Sequence, residues 1–399
     1  MTSSKSTPTP PSDPSDLLEV ELPYGRSPLR VVGARSHIEV LRARELEPPP
    51  ALDAMIDAAL DQPLSSKRLS ELVQPNGRMT VIVSDSTRDE PRASFLRAIR
   101  RRVPPSARVT IAVATGTHGP CSVADLGLDK EVLHGADLVM HDGHSDASLV
   151  ELGTTAHGTP VRVHRAVVDA ELVVATGCIR PHYFAGFGAG IKAIFPGLGQ
   201  AAAIRSNHRL KSEPGARAGI VDGNPCREDL RAAVGMIATP MFLLNGVCAP
   251  AGHVQAVVAG DVDRAFNAGV ELARPWFSVA AAQASLVIAS DVLPVSASLY
   301  QAAKIAAAAA PLVAADGELV IAAECADGIG PLQTVNEAIF RIGVLPRLAR
   351  GARISLVSAL SRNLVEQTLV AFKAALPIID RRALILPRAS QLICSVVPS

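Results

Sequence analysis

The chain has 399 residues, carries 39 basic and 38 acidic side chains, and is 48% hydrophobic but only 3% aromatic. A formal charge of +1 supplies no basic field for nucleic acid or an anionic membrane surface, which leaves a small molecule as the default partner. Length and an alanine- and valine-rich apolar content predict an α/β fold of two or three domains, and six cysteines without CxxC spacing argue against a zinc knuckle and a disulfide framework.

The opening MTSSKSTPTPPSDPSD, residues 1–16, is rich in Ser, Thr and Pro and lacks the apolar core of a signal peptide, so it reads as a disordered tail. The most apolar segment, IAAAAAPLVAA after Lys304, is broken by Pro311 and is too short to cross a bilayer. A cytoplasmic protein with reduced thiols is expected. From Leu17 to Val40, alternation in LLEVELPYG and LRVVGARS predicts a hairpin, and PPPALDAMIDAALDQP reads as a helix opened by proline. RMTVIVSD predicts a strand that delivers Asp85, Thr87 and Arg88 at its exit, before a helical STRDEPRASFLRAIRRRV. RVTIAVATG repeats the pattern and delivers Thr117 and His118. His134, His141, His144, His157 and His164 follow in a polar, Gly- and Asp-rich stretch; HDGH lacks helical character and the HExxH pattern, so a solvated loop is expected there.

AELVVATG is another buried strand, and the stretch from Pro181 to His208, PHYFAGFGAGIKAIFPGLGQAAAIRSNH, arrives where it ends. Ligands gather at such strand ends in α/β proteins. Gly186, Gly188 and Gly190 alternate, which lets backbone approach a flat or phosphorylated ligand, or simply allows a turn. A dinucleotide fingerprint fails because Pro-His-Tyr-Phe separates strand from glycines, and a P-loop fails because Ala193 follows Lys192. Lysine occurs only at positions 5, 67, 130, 192, 211, 304 and 373 in an arginine-rich chain. An amine can lose its proton and bond to carbon where a guanidinium cannot, so Lys192 is a candidate covalent anchor, with a phosphate-pairing charge as the alternative. GQAAAIRSNHRL predicts a helix carrying His208 back over Lys192, where a neutral imidazole can meet a metal. A helix at PCREDLRAAV, a strand pair in MFLLNGVCAPAGHVQAVVAGD and the helix DRAFNAGVELARPW complete a first domain, residues 17–272.

A smaller α/β domain is expected over residues 273–399, with the active site in the cleft between the two. ASLVIASD is its first strand, and ASLYQAAKIAAAAA is a strong helix former. Tyr300, Gln301 and Lys304 share a face of that helix, where a phenol, an amide and an ammonium can grip a carboxylate or form an ordinary solvated surface. Alternating strands and helices run to the end, and Glu324 and Asp327 at a strand exit carry no assigned role.

SDSTR at 84–88, GTH at 116–118, PHxxAGFGAGxKxxxPG at 181–197, NH at 207–208 and YQAAK at 300–304 occur in one order, and together they resemble the nickel-dependent lactate racemase family. The resemblance implies a two-domain α/β racemase or epimerase of 2-hydroxy acids. Its implied cofactor is a nickel pincer nucleotide, nickel pyridinium-3,5-bisthiocarboxylic acid mononucleotide. By the same resemblance Lys192 tethers the cofactor, His208 completes nickel coordination, and His118 and His182 act as general base and acid. Arg88, Tyr300, Gln301 and Lys304 hold the substrate, Asp85 supports His118, and the glycines lie along the cofactor. The chain departs from the family where TRDEP stands for the usual TRP and GTHGP for GTHRP, which leaves lactate, a larger hydroxy acid or a sugar acid open as substrate. A lysine Schiff-base enzyme and an inactive nucleotide- or metal-binding protein are the rival readings.

Overall fold

The structure is a computed structural model that describes residues 16–398. The expected tail lies, apart from Asp16, outside the described residues. The fold is α/β, with two six-stranded sheets in two compact units, one of them Arg44–Trp276 and the other the chain up to Ala43 together with Phe277 onward. The second boundary was not visible to local pattern. Strand Ile38–Val40 pairs in parallel with Ala383–Leu386, more than three hundred positions away, and Val20, Leu22 and Val31 of the predicted hairpin bury against Leu286, Ile288, Val320 and Ile385. Residues 17–43 therefore belong with the C-terminal unit rather than with a 17–272 domain.

In the Arg44–Trp276 unit the strands run, edge to edge, Val254–Gly260, Met241–Cys248, Leu172–Ile179, Arg78–Ser84, Arg108–Ala114 and Ala136–Met140. All neighbours are parallel except the first pair, the expected hairpin. Central strands such as RMTVIVS and LVVATGCI read as continuous apolar runs because helices and loops cover both faces of a parallel sheet. Val81, Val83, Ile111, Val174, Phe242 and Phe95 are all buried in one core, and each such side chain contributes roughly 1.5–3 kcal/mol by leaving water. The order matters for function. The chain lays strands outward from Arg78–Ser84 in one direction, then returns to build outward from Leu172–Ile179 in the other. Loops leaving the carboxyl ends of these two neighbours diverge, and the crevice between them is where open α/β sheets bind ligands.

The other unit orders its main sheet Ala371–Phe372, Arg353–Val357, Val313–Ala322, Ala284–Ser290, Ala383–Leu386 and Ile38–Val40, all parallel. Helix Leu299–Ala309 packs its alanine face on that sheet, and its N-cap Ser298 accepts a hydrogen bond from the Gln301 amide. The histidine-rich stretch corrects its expectation: Leu149–Thr154 and Pro160–His164 form an antiparallel hairpin, and His141 and His164 are buried. His141 bonds through Nε2 to the Gly199 carbonyl at 2.9 Å, and its ring meets His164 edge-on at 5.8 Å, so both serve packing rather than solvent.

Candidate active site

Strand Arg78–Ser84 ends in a tight polar turn. The Asp85 carboxylate accepts hydrogen bonds from the Thr87 amide (3.1 Å) and hydroxyl (2.6 Å), an Asx turn that folds the chain back at once. Its second oxygen meets His118 Nδ1 at 2.5 Å. Burial pushes the Asp85 carboxyl up, but the hydrogen bonds from His118 and Thr87 and the nearby charges of His118 and Arg88 outweigh that and hold it below the usual carboxylate range. His118 comes from the turn after Arg108–Ala114, the adjacent strand, with its amide on the Thr115 carbonyl. A carboxylate on Nδ1 fixes the ring's tautomer and leaves Nε2 as the working atom, on an exposed side chain.

Beyond strand Leu172–Ile179, His182, Lys192 and His208 gather around one ring that the sequence reading did not single out, Phe184. The His182 ring lies 4.5 Å from it edge-on, the His208 ring 5.0 Å, and Lys192 Nζ 5.6 Å from its centroid. Tyr183 stacks on His182 at 5.4 Å. Phe184 itself is buried with Ala185, Ala216 and Cys226. Helix Ala201–Arg209 carries His208 as expected. Its neighbour Asn207 anchors that helix by donating to Asp229 Oδ2 (2.9 Å) and the Cys226 carbonyl (3.1 Å).

Two of the three glycines are required by the fold itself, the turn that the sequence also allowed. A Cβ on Gly186, at φ +74°, would strike the Ile220 carbonyl oxygen at 2.0 Å, and one on Gly190, at φ +61°, would strike the Phe266 ring at 2.6 Å. The space they vacate is filled by the protein's own packing, so these two glycines make a tight corner; at Gly188 a Cβ would meet only ordinary contacts. Between them Ala189 sits at φ 63°, a strained setting for a residue with a side chain, and Asn245 holds the corner by accepting the Gly190 amide at 2.9 Å. The corner starts the short turn Gly190–Ala193 that presents Lys192.

Positive charge collects here. Burial pushes the Lys192 amine down, with Arg227 and then Arg88 adding to the effect, to about 7. Arg227 is fully buried with its guanidinium 3.7 Å from the Phe266 ring centroid. Burial, then Lys192 and Lys211, hold His208 at about 3. The His208 imidazole is therefore neutral at physiological pH and the Lys192 amine gives up its proton close to neutrality, so the second can bond to carbon once deprotonated and the first can offer a lone pair to a metal. Among the described residues no three His, Cys, Asp or Glu side chains cluster as metal ligands, so a metal beside His208 needs a ligand that brings its own donors. That donor set fits a metal carried by an organic group.

In the other unit, Lys304 Nζ donates to Gln301 Oε1 at 2.5 Å on helix Leu299–Ala309, with Tyr300 exposed one residue earlier. The shared helical face expected from the sequence is present.

A doubly wound sheet with an acid-held imidazole and a buried lysine of depressed pKa beside its switch point is the arrangement of an α/β enzyme. Comparison with known proteins narrows this. Residues 24–219 match the lactate racemase N-terminal domain model. The lactate racemase of Thermoanaerobacterium thermosaccharolyticum is 30% identical over 79% of this chain and 76% of its own, and that of Lactiplantibacillus plantarum 29% identical over 69% and 66%. The solved lactate racemase apoprotein from T. thermosaccharolyticum superimposes with a TM-score of 0.83 at 26% identity, covering 95% of this chain and all of that one. A Thermotoga maritima protein shares the fold, with a TM-score of 0.66 at 16% identity over 88% of this chain and all of its own. The chain belongs to the lactate racemase family and is an isomerase.

Proposed function

We propose that the protein racemises or epimerises a 2-hydroxy acid at its hydroxyl-bearing carbon with a nickel pincer nucleotide as cofactor. The observation that carries this reading is the contrast at one sheet end between His118, held by Asp85, and the Lys192–His208 pair gathered on the Phe184 ring, both with pKa values pushed down chiefly by burial. Removing a proton from carbon beside a carboxylate puts charge on charge, whereas loss of the hydroxyl proton together with hydride from the same carbon would leave a neutral ketone, so the reaction calls for bases at the hydroxyl and a hydride acceptor. His118 is the base on one side: Nε2 takes the hydroxyl proton while Asp85 stabilises the charge gained. His182, fixed by stacking on Tyr183 and by the Ala185 amide on its Nδ1 (3.2 Å), serves the opposite face. Arg88 is assigned to the substrate, and on the other unit Lys304, oriented by Gln301 beside Tyr300, is a second group suited to a carboxylate. Lys192 is the tether and His208 the metal ligand, with the Gly186–Gly190 corner fixing the backbone beside them. The chemistry such a cofactor supplies when bound is a hydride sink, an electron-poor ring next to a metal.

The test is to purify the protein from cells that make the cofactor, then measure nickel, intact mass and inversion of a panel of hydroxy acids. Absence of nickel together with absence of inversion would sink the reading. A second reading makes Lys192 a Schiff-base lysine, favoured by its amine standing at about 7. Borohydride trapping of a carbonyl compound on Lys192, with no need for nickel, would decide for it.

A further inference from the structure

The Asp85–Arg88 turn is short, and Ser86, Thr87, Arg88 and Asp89 on its outer side are all exposed, yet it must keep the Asp85 carboxylate aimed at His118. Asp89 and Glu90 follow this arginine directly, so no proline restrains the backbone until Pro91. Two charged side chains from the same segment are buried beneath the turn instead. Arg92, the first residue of helix Arg92–Arg100, sends its guanidinium back: Nε donates to the Ser84 carbonyl (2.7 Å), and Nη2 donates to the carbonyls of Asp85 and of Arg88 (2.6 Å for the latter). Glu90, its side chain fully buried, accepts the Ser84 amide at 2.7 Å, bonds to the Thr176 hydroxyl on the neighbouring strand, and lies 3.9 Å from Arg92 Nε. The carbonyls of Ser84, Asp85 and Arg88 thus converge on one planar donor group, which a carboxylate ties to the sheet.

We propose that Arg92, backed by Glu90, is a positioning residue that fixes the Asp85–Arg88 turn and through it the Asp85–His118 pair. The proposal rests on the catalytic role assigned above to His118. Arginine is required because its rigid fork reaches several carbonyls at once, whereas a lysine ammonium at this site is a single point charge on a flexible stem. Arg88 is held by the same clamp, so both the base and a substrate-binding cation depend on a side chain that touches neither substrate nor cofactor.

The experiment compares wild type with Arg92→Lys and Glu90→Gln. In the cofactor-free chain, proton NMR reads the low-field resonance of His118 Nδ1–H on Asp85, identified by its loss in His118→Gln. Circular dichroism and thermal melting report the fold. Arg92→Lys is expected to keep its secondary structure and lose that resonance, and when loaded with cofactor its kcat should fall about 100-fold. Glu90→Gln should weaken the resonance and lower kcat less, and it decides the matter if Arg92→Lys fails to fold. A variant that melts earlier but keeps both the resonance and wild-type kcat overturns the proposal, since Arg92 would then be packing alone. If loaded wild type inverts no hydroxy acid while Arg92→Lys still loses the resonance, the clamp stands and the catalytic reading of His118 falls.

Discussion

His118 and His208 are the same side chain in opposite surroundings. His118 is exposed, and its Nδ1 meets a carboxylate at 2.5 Å. His208 is half-buried against Phe184, and burial, then the neighbouring Lys192 and Lys211, push its pKa down to about 3. A carboxylate lets an imidazole gain a proton and give it back, because the charge that appears is already matched. Cations and burial forbid the proton and leave a lone pair for a metal. In the function proposed, one sheet end builds a proton carrier and a metal donor from one residue type, and the difference lies in the neighbours.

The sharpest way to break this comparison is to remove the proton carrier. His118→Ala in the loaded enzyme should cost about 10²–10⁴-fold in kcat with nickel content unchanged, and Asp85→Asn should fall in the same direction because the amide favours the wrong tautomer. Steady-state kinetics beside metal analysis checks both, and a fall in nickel in His118→Ala would blur the division of labour. The reciprocal change, His208→Gln, should release nickel on dialysis while leaving the His118–Asp85 resonance in place; metal retained at wild-type stoichiometry refutes the assignment.

Phe184 ties His182, Lys192 and His208 together, so Phe184→Ala should lower stability by about 3–5 kcal/mol in denaturant titration, and Phe184→Leu by less. A small loss on Phe184→Ala would mean that the ring is not the hub of that cluster. The gentlest effect is on pH. The folded pKa of His208 is depressed from an unfolded value of about 6.5, so the unfolded chain takes up a proton that the folded chain refuses. Stability from this group is complete above about 6.5 and declines as pH falls towards about 3. His141 and His164, also lowered mainly by burial, act in the same sense. In His208→Gln the acid-side slope of unfolding free energy should flatten but not vanish, and a slope equal to wild type would show that His208 does not stay neutral.

The sequence by itself determined the alternation of strands and helices, the strand exits that carry Asp85, His118 and His182, and the helix that carries His208. These follow from local periodicity and from the turn residues that end each strand, both of which act within a few positions. It also placed Tyr300, Gln301 and Lys304 on one helical face, because helix geometry fixes which neighbours meet. Only the tertiary structure decided that Ile38–Val40 joins a sheet beside Ala383–Leu386, that Phe184 gathers three site residues, that Gly186 and Gly190 make room for the protein itself, and that Glu90 and Arg92 grip the turn from below. Each of those depends on partners far apart in the chain or on which side of the backbone is already filled. A side chain's charge state is likewise set by what burial brings against it, which is why the depressed pKa values of Lys192 and His208 came only from the tertiary structure.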